Sequence, residues 1–146
     1  ENVVKPSDLN YVWTPTATFG MTASAFVGGA NKVSESWLIS PQISLSEVSK
    51  VNLTFDHALN YLRGARADNF ATVWISTTYN TGLPSTAAWS QLNVPIYPPG
   101  TNWTFISSGA VSLDDFAGEP KVRIAFKYVS TTTTAPTWEI KNVIVK

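Results

Sequence analysis

From Lys121 to Tyr128 the chain alternates strictly: Val122, Ile124, Phe126 and Tyr128 fall on one parity, and Lys121, Arg123, Ala125 and Lys127 on the other. Successive side chains of an extended chain point to opposite faces, so this stretch predicts a strand with one buried and one solvated side. The same alternation runs through residues 51–59 and 71–77, each bounded by segments rich in Gly, Pro, Asn and Ser. Parity then predicts a single buried cluster of Val51, Leu53, Phe55, Val73, Ile75, Val122, Ile124 and Phe126. Asn52, Thr54, Thr72, Arg123 and Lys127 should face the other way. Strands are predicted near residues 2–4, 16–19, 23–27, 34–40, 50–59, 70–78, 103–107, 122–130 and 137–145. The only helical signal is one turn at 113–116, with Ser112 as its cap and Gly118 and Pro120 beyond its end. Short strands separated by turn signals predict an all-β, antiparallel β-sandwich in a single domain spanning 1–146.

The last predicted strand breaks its own rule. Trp138 and Ile140 share a face, whereas Val143 and Val145 have the opposite parity. A β-bulge near Lys141 and Asn142 would restore the pleat and re-aim a polar side chain, either Asn142 or Glu139. Between residues 80 and 100, Pro84, Pro95, Pro98 and Pro99 predict a long irregular excursion, the kind of segment that often carries function on a rigid scaffold.

Composition narrows the class of partner. A chain of 146 residues can bury about two-thirds of its unfolded surface, enough for a core without covalent staples. Ten basic and ten acidic residues cancel, and no block of like charge occurs, so neither nucleic acid nor an anionic membrane finds an electrostatic footprint. No apolar run reaches the length of about 18 residues needed to span a bilayer as a helix, so no membrane insertion is expected. The absence of cysteine excludes disulfides, thiolate metal sites and thiol catalysis. The chain begins at Glu1 without a methionine, which is expected of a mature or excised module of a larger secreted protein.

Candidates for chemistry are few. His57, the only histidine, shares its parity with Leu53, Phe55 and Leu59 and should be a buried structural residue with its hydrogen bonds satisfied. Asp56 should point away from it, leaving no general-base pair. Asp114 and Asp115 read as acids at the start of a helical turn, where the backbone dipole favours them, rather than as a catalytic pair. No nucleophile elbow, phosphate loop, zinc-protease or EF-hand pattern is present, and the expectation is that the protein is not an enzyme. Two glycosylation sequons, at Asn52 and Asn102, lie in predicted strands.

Six Trp, five Tyr and seven Phe are the strongest hint of a binding surface, since aromatic planes stack on sugars and anchor protein partners. Trp37, Trp74 and Trp138 lie within predicted strands and are expected to be buried or half-buried. The aromatic residues in or beside the loops at 61–69 and 80–101 are Tyr61, Tyr79, Trp89, Tyr97 and Trp103. The first loop also carries Arg63, Arg66, Asp68 and Asn69, a set of forked donors and acceptors. Tyr61, Arg63, Arg66, Trp89 and Tyr97 are the residues expected to contact a glycan or protein ligand.

A set of ordered blocks spans nearly the whole chain: Ser36-Trp37-Leu38-Ile39-Ser40-Pro41, Ile43-Ser44-Leu45, Leu53-Thr54-Phe55, Val73-Trp74-Ile75-Ser76-Thr77, Trp89, Leu113-Asp114-Asp115-Phe116-Ala117-Gly118, Val122 to Tyr128, and Trp138-Glu139-Ile140-Lys141-Asn142-Val143. Their order and spacing resemble the choice-of-anchor J and cleaved-adhesin domains of Bacteroidetes surface proteins. The resemblance implies a jelly-roll sandwich, similar in architecture to MAM and carbohydrate-binding domains, serving as a non-catalytic, monomeric adhesion or ligand-binding module that is secreted or anchored at the cell surface. Two other readings are a structural spacer without its own ligand and an accessory domain of a secreted hydrolase. Relatives in that broader group hold calcium between an acidic residue of the first strand and carboxylates before the last. Here Lys141 and Asn142 stand at the latter positions, and the opening strand Asn2-Val3-Val4 offers few acidic ligands, so the expectation is no cofactor and no tightly bound calcium, or at most one calcium held mainly by backbone oxygens.

Overall fold

The computed structural model describes residues 1–146 as thirteen strands, three single-turn 3₁₀ segments and no α-helix; no helix is long and apolar enough to cross a membrane. The strands are β1 (Asn2–Val4), β2 (Trp13–Thr16), β3 (Gly20–Ala23), β4 (Phe26–Val27), β5 (Ala30–Asn31), β6 (Ser34–Ile39), β7 (Asn52–Asn60), β8 (Ala71–Ser76), β9 (Ser90–Leu92), β10 (Ile106–Ser107), β11 (Val111–Ser112), β12 (Arg123–Ser130) and β13 (Thr137–Val145). Two antiparallel sheets face each other. One has the order β1-β6-β12-β8-β9; in the other, β2-β3-β13-β7 is followed by β10 and β11, which both pair with the far edge of β7. The chain crosses between sheets from β1 to β2, β3 to β6, β6 to β7, β7 to β8, β9 to β10, β11 to β12 and β12 to β13. This alternation is the jelly-roll arrangement.

Register explains the core. Ile124 pairs with Ile75, Phe126 with Val73 and Tyr128 with Ala71, so β12 and β8 turn one continuous apolar face inward. On the opposing sheet His57 pairs with Ile140 and Leu59 with Trp138. The rings of Phe55 and Phe126 meet edge to face across the gap, 5.1 Å between centroids. The eight residues expected to cluster do so within one buried core of 25. Asn52, Thr54, Thr72, Arg123 and Lys127 are half-exposed on the other faces.

The break in β13 is real. Register shifts between Lys141 and Ile144, Asn142 adopts a left-handed backbone (φ 53), and its amide nitrogen donates to Asp56 Oδ2 at 2.7 Å. Glu139 stays in register between Ala58 and Thr22, so Asn142 is the side chain that the bulge re-aims.

Several expected boundaries need correction. The strand expected at 16–19 is a turn: Thr16 pairs with Gly20 at the tip of the β2–β3 hairpin, and the Thr16 hydroxyl accepts the Phe19 N–H. Gly20 is required there, because its φ is +76 and an added Cβ would lie 2.2 Å from the Ile140 carbonyl oxygen. The run at 23–27 divides between β3 and a two-stranded hairpin, β4–β5, whose tip is Gly28-Gly29 with φ 61 and 76, a primed turn that matches strand twist. The strand at 103–107 shortens to β10, and the excursion between 80 and 100 contains a 3₁₀ turn at Pro84–Thr86 and edge strand β9. The turn at Asp114–Phe116 is 3₁₀ and lacks a side-chain cap. Ser112 accepts the Asp114 N–H, and the Asp114 carboxylate accepts the N–H of Val51 at 2.8 Å, tying this turn to the start of β7.

Candidate ligand-binding surface

The five residues expected to form a site lie in three places. Tyr61 and Arg63, both with left-handed backbone (φ 67 and 53), border a cavity of about 220 Å³ shared with Phe26, Asn31 and Thr137. Tyr61 is 51% exposed and meets Trp103 edge to face at 5.6 Å. Arg66 is exposed and forks onto Asp68, with Nε 2.9 Å from Oδ1, so its donors are largely committed within the loop. Tyr97 adjoins it, but its hydroxyl donates to the Ala71 carbonyl at 2.8 Å and its ring lies 5.7 Å from that of His57. Burial pushes the Tyr97 phenol up to about 12. This residue fastens the 80–100 excursion to the sandwich. Trp89 is apart from the other four, on the solvent side of the five-stranded sheet.

His57 is fully buried, as expected. Its Nε2 is 3.0 Å from the Ile96 carbonyl and its Nδ1 is 3.4 Å from the Trp138 indole nitrogen. A carbonyl only accepts and an indole N–H only donates, so the ring is neutral, with its proton on Nε2. Burial pushes its pKa down to about 4, against smaller opposing contributions from the Ile96 carbonyl and Asp56. No three His, Asp or Glu side chains converge on a metal position.

The surface that sequence reasoning missed is the outer face of the five-stranded sheet. Val73 and Ile75 point inward, so Trp74 must point out. Opposite it on β12 is Ala125, which in turn pairs with Ile39, and Lys127 pairs with Trp37. Ala125 faces solvent by parity and is nevertheless 0% exposed, because the larger side chains around it close over its methyl group. Those side chains form an aromatic row: Trp74 to Trp37 at 5.8 Å, Trp37 to Trp89 at 5.2 Å and Trp89 to Tyr79 at 5.2 Å. Trp37 is 6% exposed; Trp74, Trp89 and Tyr79 are half-buried.

The polar atoms of the row are satisfied locally. Trp37 Nε1 donates to Glu35 at 3.0 Å, Trp74 Nε1 to Thr72 at 2.8 Å, Trp89 Nε1 to the Pro84 carbonyl at 3.0 Å and the Tyr79 hydroxyl to the Gly82 carbonyl at 2.7 Å. The Lys127 ammonium stands 5.1 Å from the Trp37 ring and 5.8 Å from Trp74, with Glu35 at 3.4 Å. Because the chain after β8 folds back over the sheet, Pro84 and Ala87 join Val3, Glu35, Trp37 and Trp89 around a cavity of about 320 Å³. Two indoles, a proline and a carboxylate thus line one recess. At the far end of the row, Arg123 lies 5.9 Å over the Tyr79 ring.

The signal for this face was in the sequence at β8, where the parity of Val73 and Ile75 excludes Trp74 from the core. At β6 it was ambiguous: Ser34, Ser36 and Leu38 share one parity and Glu35, Trp37 and Ile39 the other, and the serine side turns out to be the inner one.

No family model matches this chain, and no curated protein matches it in sequence.

Proposed function

We propose that this jelly-roll domain is a non-catalytic, carbohydrate-binding adhesion module of a secreted or surface-anchored bacterial protein. The observation that carries this reading is the aromatic row Trp74, Trp37, Trp89 and Tyr79 on the solvent side of a sheet whose inner side already supplies a complete core. Trp74, Trp89 and Tyr79 are half-buried, so each leaves part of its ring open to solvent, and the apolar faces of sugar rings are complementary to such surface. Glu35, Gln91 and Thr72 stand on the same face of the sheet as polar groups for hydroxyls. The resemblance to choice-of-anchor J domains supports the extracellular context, and the absence of a placed nucleophile and base supports binding without turnover.

Glycan arrays probed with the wild type and with Trp74→Ala and Trp89→Ala variants test the reading. Binding should fall at least about tenfold in both variants, equivalent to about 1.4 kcal/mol each, while the melting transition persists. A second reading places the ligand at the loop end, where Phe26, Tyr61 and Trp103 are exposed and two residues hold left-handed backbones. Loss of binding in Tyr61→Ala but not in Trp74→Ala would select it. Silence on glycan and host-matrix arrays by a folded protein would leave the spacer reading.

A further inference from the structure

Beside the aromatic row lies a recess of about 310 Å³ lined by Gln42, Thr77, Thr78, Asn80, Lys121 and Arg123, among others, with no acidic side chain in its wall. Lys121 and Arg123 are two residues apart on the same side of the β12 line, because the antiparallel bridge between Ile43 and Val122 keeps this segment extended. Two residues along a strand span about 7 Å, so both cations reach the same recess.

Neither cation has a counter-ion. The protein contains two side-chain ion pairs, Arg66 with Asp68 and Lys127 with Glu35, and neither involves this recess. The contrast with Lys127 is informative: along one row of aromatic rings, the cation at one end is neutralised and the cations at the other are not. Glu1 lines the adjoining cavity on the other side of the wall that Tyr79 and Arg123 share, and forms no ion pair with Arg123. Arg123 is held in place by uncharged partners, its Nη1 donating to the Ser40 carbonyl at 3.0 Å and its Cζ 5.9 Å from the centre of the Tyr79 ring; its Nε–H is buried without an acceptor, and no protein hydrogen bond uses Nη2. A guanidinium with spare donors beside an ammonium is a receptor for an oxyanion.

Tyr79 connects this recess to the sugar-stacking row, 5.2 Å from Trp89 and under Arg123. Resting on the reading of the outer face as a glycan surface, we propose that the Lys121–Arg123 recess is an acid-group subsite and that the partner is therefore an acidic glycan, a polymer carrying carboxylate or sulfate groups. Thr77, Thr78, Gln42 and Asn80 supply the neutral donors and acceptors for neighbouring hydroxyls.

Affinity electrophoresis tests this with polygalacturonate as the carboxylate polymer, dextran sulfate as the sulfate polymer and dextran as the neutral one, at low and at physiological salt. Wild-type protein should be retarded at least tenfold more by one or both acidic polymers than by dextran. Lys121→Gln, at an exposed position, should lower that retardation at least fivefold, Trp89→Ala should lower it as well, and Lys50→Gln, outside the recess, should leave it unchanged. Equal retardation by dextran, or acidic binding that survives Lys121→Gln, overturns the acid subsite while glycan binding stands. Acidic binding that survives Trp89→Ala is ion exchange alone and also overturns it. No retardation by any polymer, with the protein folded, removes the glycan reading and this inference with it.

Discussion

Two aromatic clusters lie back to back across β12, and they differ in everything except residue type. On the inner side Phe126 meets Phe55 at 5.1 Å and Trp138 at 5.9 Å, and Trp138 meets Trp13 at 5.5 Å, all without a cation nearby. On the outer side Trp74, Trp37, Trp89 and Tyr79 are spaced 5.2 to 5.8 Å apart and carry Lys127 and Arg123 over their faces. Polar groups show the same division. His57 spends both ring nitrogens on core partners and is kept neutral, whereas Lys127 pairs with Glu35 at 3.4 Å in partial contact with water. Strand parity, rather than aromatic character, decides whether a ring packs into the core or onto the outer face of the sheet.

The most severe challenge to that division is a pair of truncations. Phe126→Ala should cost about 3 to 5 kcal/mol in a urea titration, the range for removing a buried Phe. Trp74→Ala, at a half-buried position outside the core, should cost under about 1.5 kcal/mol. Equal losses would show that the outer row is a second core and not a surface.

Acid titration sharpens the same contrast. The folded pKa of His57, about 4, lies below its usual value of 6.5, so the fold favours the neutral ring. The resulting stability is fully present above pH 6.5 and is lost as pH falls from there through 4. Linkage puts the loss on the order of 3 kcal/mol. Urea unfolding of the wild type and of His57→Gln at pH 7 and pH 4 should show a weaker pH dependence in the variant by about that amount. Parallel pH profiles would mean that the ring is not held neutral.

Smaller effects probe the fastenings between the regions. Tyr97→Phe removes the bond to the Ala71 carbonyl and should cost about 1 kcal/mol, read as a fall in the urea midpoint. Lys127→Ala breaks a half-exposed pair with Glu35 and should cost less than about 1 kcal/mol, with a further decrease in its effect at high salt. A larger loss from Lys127→Ala would assign the outer cations to stability.

Much of this architecture is legible in the chain. The alternation at residues 122–128 fixed which side of β12 is buried; the parity of His57 placed it in the core; the conflict between Ile140 and Val143 announced the bulge that turns Asn142 toward Asp56. These features depend on a period of two and on the need to hide one face, and both are local. The short pairings were not legible. β4 and β5 are two residues each, and the turn at Gly20 is fixed by a contact with the Ile140 carbonyl, from a strand distant in sequence. The inner side of β6 is marked by serines, which a hydrophobic pattern passes over; Ser34 is bonded to Ser130 at 2.7 Å, and Ser36 to Asn2 at 2.6 Å.

The proposed binding surface lies on the other side of that boundary. Nothing along the chain joins Trp37, Trp74 and Trp89 to one another or to the Lys121–Arg123 pair; they come from the strands β6, β8 and β12 and from the segments just before β9 and β12. They become neighbours only when the jelly roll closes and the chain after β8 folds back over the sheet. Tyr61 and Arg63 part from Arg66, only a few residues on, for the same reason: loop residues go where the strands they connect carry them. A strand's inner face follows from its own residues, but which outward side chains meet depends on strand order, and strand order is fixed by packing between segments distant in sequence.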